Sequence, residues 1–154
     1  MHTLQKSNLI FETPFWEVTL HRDQRYLGRA VVMLKRRCED LSGLTQKELL
    51  GFFEVVQKLE GFVKKTFTAT MYNWACLMND VYRTKPYAPQ VHWHFIPRYD
   101  HPVEFAGKVF GDPNFGNRSL PPIPENQVAV ATDVFEKILT EFRKMSALGP
   151  QPKN

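Results

Sequence analysis

Cysteine is scarce in this chain of 154 residues. Its two cysteines, Cys38 and Cys76, form neither a Cys-x-x-Cys pair nor a metal-ligand cluster, so no disulfide framework is expected and a reducing, cytoplasmic compartment is. No apolar run approaches the ~18 residues that span a membrane. Residues 1–15 carry neither the continuous apolar segment nor the cleavage pattern of a secretory leader. Internal repeats and low-complexity tracts are missing. So are a P-loop, a Gly-x-Gly-x-x-Gly turn and an RNA-binding aromatic signature, so no specific nucleic-acid binding is expected. An excess of one charge is also lacking. Lys and Arg number 20 against 16 Asp and Glu, a formal charge of +4. That balance favours anionic partners such as phosphates without a histone-like surplus. An ordinary soluble surface explains it equally well.

What is present is apolar mass: 43% hydrophobic and 13% aromatic residues, enough for the core of one compact domain. A single domain over 1–148 is expected, with a helical extension from residue 125 and a flexible tail at 149–154. Trp16, Glu17, Val18, Thr19 and Leu20 alternate with the period of a half-buried strand. Residues 21–24 are polar and turn-like. Gly28 precedes a β-branched-rich run over 29–34. Thr45 followed by Glu48 is a capping-box signature. Behind it Leu49, Phe52, Phe53, Val56, Leu59 and Val63 recur at helical spacing as one wide stripe. Strands are expected over 70–78 and 90–97, with a loop over 79–89. Segment 107–124 is rich in Gly, Pro and Asn and has no period, the signature of a lid, a wrap or a mobile flap. A final helix fits 125–145, with Val128, Ala131, Val134, Phe135, Ile138, Leu139 and Phe142 on its apolar face. Alternating strands with one polar face, interleaved with helices, imply an α+β fold with an antiparallel sheet.

The best-patterned strand carries two of the five histidines. Side chains alternate along a strand, so Gln90, His92, His94 and Ile96 share one face while Val91, Trp93, Phe95 and Pro97 face the core. Imidazole is both a nucleophile and a general acid or base near neutral pH. Two on one rigid face can divide those tasks, one attacking phosphorus and the other giving a proton to the departing oxygen. The same His-x-His spacing serves zinc or copper, but a metal site needs further ligands, and the nearest candidate is His101, seven positions past His94. Plain surface polarity is the third reading of the pair.

The run Gln90, Val91, His92, Trp93, His94, Phe95, Ile96, Pro97, Arg98 resembles the signature of the histidine-triad (HIT) family, His-φ-His-φ-His-φ-φ with φ apolar. It is most similar to the branch of dinucleoside polyphosphate hydrolases, whose motif is often followed by Pro-Arg. The order of elements over residues 8–98 matches as well. Asn79 stands thirteen positions before His92, where the family keeps an Asn or Gln near the substrate phosphate. The resemblance implies a five-stranded antiparallel sheet with two main helices, and a homodimer. It makes His92 the nucleophile that attacks an α-phosphate, with His94 contacting phosphate and the bridging oxygen. His21 falls where the family binds ribose or base, and reads equally as an exposed turn histidine; Arg98 either contacts phosphate or merely ends the strand. No cofactor or protein-bound metal is implied; a divalent cation would enter through the substrate's polyphosphate.

Three departures stand out. Gln90 occupies the first triad position, where the family residue orients the nucleophile through its backbone carbonyl, which Gln retains. Arg29 follows Gly28 where many members have His, so a permanent cation, facing either a carboxylate or a phosphate, replaces an imidazole. The segment before the motif, 80–89, is not the usual Gly/Ser-rich loop, and Arg83 or Lys85 is the candidate to replace its phosphate contacts. The alternative to an enzyme is a catalytically impaired nucleotide-binding or regulatory protein of the same fold.

Overall fold

The computed structural model describes residues 6–120 and 130–147. The expected tail at 149–154, the end of the 107–124 segment and the first residues of the final helix therefore lie outside the described residues. Seven strands and two helices follow in chain order: β1 (Leu9–Glu12), β2 (Trp16–Leu20), β3 (Ala30–Leu34), α1 (Gln46–Phe67), β4 (Met71–Ala75), β5 (His92–Arg98), β6 (Val103–Phe105), β7 (Lys108–Phe110) and α2 (Thr132–Ala147). Five of the strands form one antiparallel sheet in the order β1-β2-β3-β5-β4. The architecture is the α+β fold expected.

Helix α1 begins where the capping box places it. The Thr45 hydroxyl accepts from the Glu48 N–H, and the Glu48 carboxylate accepts from the Thr45 N–H at 2.8 Å. The buried stripe is rotated from the expected one. Val55, Leu59, Val63 and Phe67 are buried, whereas Leu49 and Phe53 are 49% and 57% exposed. A stripe wider than the core can cover leaves its outer edge in solvent, and which edge that is depends on the sheet beneath. Here the sheet presents Trp16, Trp74, Trp93 and Phe95, and Phe52 packs among the three tryptophans. Helix α2 buries Val134, Phe135, Ile138, Leu139 and Phe142 beside α1, and Phe142 packs against Phe62 and Phe67. Burying each such side chain contributes about 1.5–3 kcal/mol. The helix starts at Thr132; Val130 and Ala131, expected within it, precede it.

Two short elements escape sequence periodicity. The three-residue strands β6 and β7 pair around Ala106 and Gly107, both at positive φ (53° and 74°), so β7 lies inside the stretch expected to be all loop. Three residues are too few to reveal a period. Gly28, at φ 88°, launches β3. A Cβ there would sit 3.3 Å from atoms of Phe142 and Val63, so both conformation and packing demand glycine. Among the described residues no helix is long and apolar enough to cross a membrane.

Candidate active site

The interior position of β5, between β3 and β4, sets the site. Its antiparallel register places His92 opposite Met33, and His94 between Val31 of β3 and Ala75 of β4. Trp93 stacks on Phe52 of α1 with centroids 4.8 Å apart, so strand alternation turns His92 and His94 to the face away from the helix. Their rings lie edge-to-face at 5.0 Å between centroids. His21, just past the end of β2, adds a third ring 6.4 Å from His94.

Each ring has a distinct environment. His92 Nδ1 lies 2.8 Å from the carbonyl oxygen of Gln90. A carbonyl can only accept, so in the neutral ring Nδ1 carries the hydrogen and Nε2 holds the lone pair. His21 Nδ1 accepts from the Asp23 N–H at 2.9 Å, which leaves Nε2 as the protonated nitrogen of that neutral ring. Burial, with Arg29 and His94 adding repulsion against Asp23, lowers the pKa of His21 to about 3. Burial also leads for His94, reinforced by His92 and Arg29 and opposed by Asp80, giving about 4. Both rings are therefore neutral at pH 7. His94 Nδ1 is buried without a hydrogen-bond partner among the described residues.

Arg29 is the nearby cation. It is 2% exposed, pairs through Nη1 with the Asp23 carboxylate at 2.9 Å, and keeps its Nε buried without a partner among the described residues. The same carboxylate binds Arg25. Burial alone would raise the Asp23 pKa, but the bonds from Arg25 and the charges of both arginines outweigh it and hold the group ionised. The turn that carries these residues is braced by Gln24, whose amide donates to the carbonyls of His21 and Arg29 and accepts from the Gly28 N–H. Asp23 and Gln24 were not singled out from the sequence. In a polar turn they read as solvated, and only tertiary packing buries them.

Two expectations are corrected. The side chain of Gln90, expected on the histidine face within reach of the phosphate, is drawn off by backbone. Its Nε2 donates to the carbonyls of Leu34 and Arg36, both at 2.7 Å, and its Oε1 accepts from the Cys38 N–H at 3.1 Å. Arg98, open between serving phosphate and ending the strand, has every N–H committed within the protein: to both Asp112 oxygens, to Asn73 Oδ1, and to the carbonyls of Asn114 and Asn117. It fastens the loop after β7 over the sheet, so the described part of segment 107–124 is a wrap. Asn79 is exposed at the start of a short 3-10 helix, Asp80–Tyr82, and makes no capping bond. The charge of Asp80 reaches His94, which puts this turn beside the site. Arg83 pairs with Asp80 at 3.2 Å. His101 stands apart, bonded to Thr68 and Asp100 at the end of α1. Among the described residues no three His, Cys, Asp or Glu side chains are grouped to hold a metal ion.

A five-stranded antiparallel sheet with helices on one face and a pair of imidazoles on the other defines a histidine-pair α+β protein. The HIT domain family matches residues 3–101, well over half of the chain, and the chain belongs to that family. Solved structures agree in fold. A histidine triad protein from Bradyrhizobium japonicum superposes with a TM-score of 0.63 at 19% identity, covering 94% of this chain and 96% of that one. A Hit-like protein from Bartonella henselae, described as involved in cell-cycle regulation, gives 0.60 at 19% identity, covering 90% and 85%. A uridylyltransferase gives 0.62 at 13% identity, covering 96% of this chain but 43% of that one. No curated protein matches the chain significantly.

Proposed function

We propose that this protein is a nucleotidyl hydrolase of the histidine-triad type, acting at the α-phosphate of dinucleoside polyphosphates or related nucleotidyl compounds. The observation that carries this reading is the Nδ1 bond from His92 to the Gln90 carbonyl, which leaves the Nε2 lone pair for phosphorus. Nε2 attacks the α-phosphorus, the bond to the leaving-group oxygen breaks, and a nucleotidyl-histidine forms. Water then attacks the same phosphorus, the P–N bond breaks, and the nucleoside monophosphate leaves. Orientation and charge stabilisation carry most of the barrier reduction.

A neutral His94 has no proton to give up without becoming an imidazolate. It assists departure by donating a hydrogen bond, and it transfers a proton only once bound polyphosphate has raised its pKa. A polyphosphate leaves as a stable anion with little need of that proton, which favours polyphosphate over amine leaving groups. Arg29, whose charge acts on both His94 and His21, supplies fixed positive charge for the phosphate in this reading, and His21 and Asn79 are its further nucleotide contacts. Divalent cation enters with the substrate's polyphosphate. The same reading makes the protein cytoplasmic and a homodimer. The exposed Leu49, Leu50 and Phe53 on α1 offer apolar surface for a second copy. A monomer mass by light scattering at micromolar concentration contradicts the dimer.

The test is turnover of a panel of dinucleoside polyphosphates and nucleoside phosphoramidates with product identification, and capture of an acid-labile adduct on His92. Hydrolysis with an adduct on His92 supports the proposal. Tight nucleotide binding with no turnover of any member replaces it with the impaired binding protein, a reading motivated by Gln90 at the first triad position and by Arg29 in place of an imidazole.

A further inference from the structure

The register between β3 and β5 ends at the pair Met33 and His92. Beyond it the two chains stay linked by single bonds, from Leu34 N–H to the Val91 carbonyl and from Val91 N–H to the Cys38 carbonyl. The turn over 34–38 separates those contacts, and its carbonyls at Leu34 and Arg36 would lack regular partners. The Gln90 amide fills that gap, using three of its four bonding positions. Arg36 is itself held from the other side, because its guanidinium binds the Glu48 carboxylate and the Gly43 carbonyl. A continuous set of bonds thus runs from the capping box of α1 through Glu48, Arg36 and Gln90 to His92 Nδ1.

The consequence concerns the Gln90 carbonyl. It lies outside the ladder, and its peptide plane also carries the Val91 N–H, so the plane is held by the bond from that N–H to the carbonyl of Cys38, the residue whose own N–H the Gln90 side chain binds. Which ring nitrogen of a histidine carries the proton is set by the hydrogen bond the other makes. We infer that Gln90 is a positioning residue whose side-chain amide, by anchoring the segment to Leu34, Arg36 and Cys38, aims its own carbonyl at His92 Nδ1 and so keeps the Nε2 lone pair available. This deepens the proposed function and rests on it for its catalytic meaning, but not for its geometry. It also changes an expectation: retaining a backbone carbonyl at position 90 is not sufficient, because a substitution that lacks the amide releases the 34–38 turn whose Cys38 carbonyl holds that peptide plane.

The experiment is nitrogen-15 NMR of the His92 ring in ligand-free protein, comparing wild type with Gln90→Met and Gln90→Glu. Met keeps the length and removes all three bonds. Glu keeps the acceptor for Cys38 N–H but sets an oxygen against two carbonyls. In wild type the Nδ1–H tautomer should dominate. In both variants the ratio of Nδ1–H to Nε2–H should fall by about tenfold, the effect of one misplaced hydrogen bond, with the His21 tautomer unchanged. Thermal unfolding verifies that each variant is folded, and if one is not, the other decides. A folded variant with an unchanged His92 ratio overturns the inference, and so does a wild type protonated on Nε2. Neither readout needs a substrate, so absence of turnover would sink the proposed function while leaving this test intact. If turnover is found, kcat should fall with the ratio while KM stays near wild type.

Discussion

The two halves of β5 share one face of one sheet and behave oppositely. The first half presents His92 and His94, half-exposed, with the His94 Nδ1 buried and without a partner among the described residues. The second half, Ile96 and Arg98, is buried under the wrap after β7. The nearby arginines repeat the contrast. Arg98 has all its donors satisfied and Tyr26 beneath its guanidinium, 5.1 Å from the ring centroid. Arg29 has one carboxylate and a buried Nε without a described partner. Buried polar groups are ordinarily satisfied. The satisfied half is therefore scaffold, and the unsatisfied half is where the proposed nucleotide would make its bonds.

Substitutions should separate the halves. His92→Ala has the largest expected effect: turnover of a dinucleoside polyphosphate should fall at least about a thousandfold, a barrier of ~4 kcal/mol. Urea unfolding of the same variant should stay close to wild type. Near-wild-type turnover would remove His92 from the mechanism. Arg98→Met in the closed half should do the reverse. It strands the Asp112 carboxylate, whose side chain is fully buried, and should cost about 3–5 kcal/mol in urea unfolding. A variant as stable as wild type would show that the wrap does not depend on the pair.

The open half should also make stability pH-dependent. His94 and His21 have folded pKa values near 4 and 3, below the 6.5 of an unfolded histidine. Between those values the unfolded chain binds protons the folded one refuses, so stability falls as pH drops from about 6.5 towards 4 and 3. The loss should reach a few kcal/mol in urea midpoints measured from pH 7.5 to 4.5. His94→Asn should flatten part of that slope, and an unchanged slope would place the titration elsewhere. The smallest effect belongs to neither half: Thr45→Ala removes one side of the capping box and should cost about 1 kcal/mol in unfolding, with turnover unchanged.

The site was legible where local pattern carries it. The alternation across 90–97 and the motif named His92 and His94. The triad resemblance pointed to His21 at the end of β2 and to the Gln90 carbonyl. The partners of the Gln90 and Arg98 side chains are not legible in the sequence, for one reason. Both belong to polar residue types on a face that looked open, and what consumes them comes from distant chain: the turn at 34–38 for Gln90, 52–56 residues away, and Asn114 and Asn117 for Arg98, 16 and 19 residues away. No periodicity encodes such pairings.

By itself the sequence determined that α1 starts at its capping box, that β2 and β5 are strands, and that His92 and His94 emerge on one face. Those are consequences of hydrogen bonds and side-chain periods within a few residues. Tertiary structure decided which edge of the α1 stripe is buried, that loop residues Asp23 and Gln24 lie inside, and which of two arginines keeps one donor without a partner among the described residues. A guanidinium's partners are carbonyls and carboxylates brought by other segments, so its commitment is settled only when those segments meet.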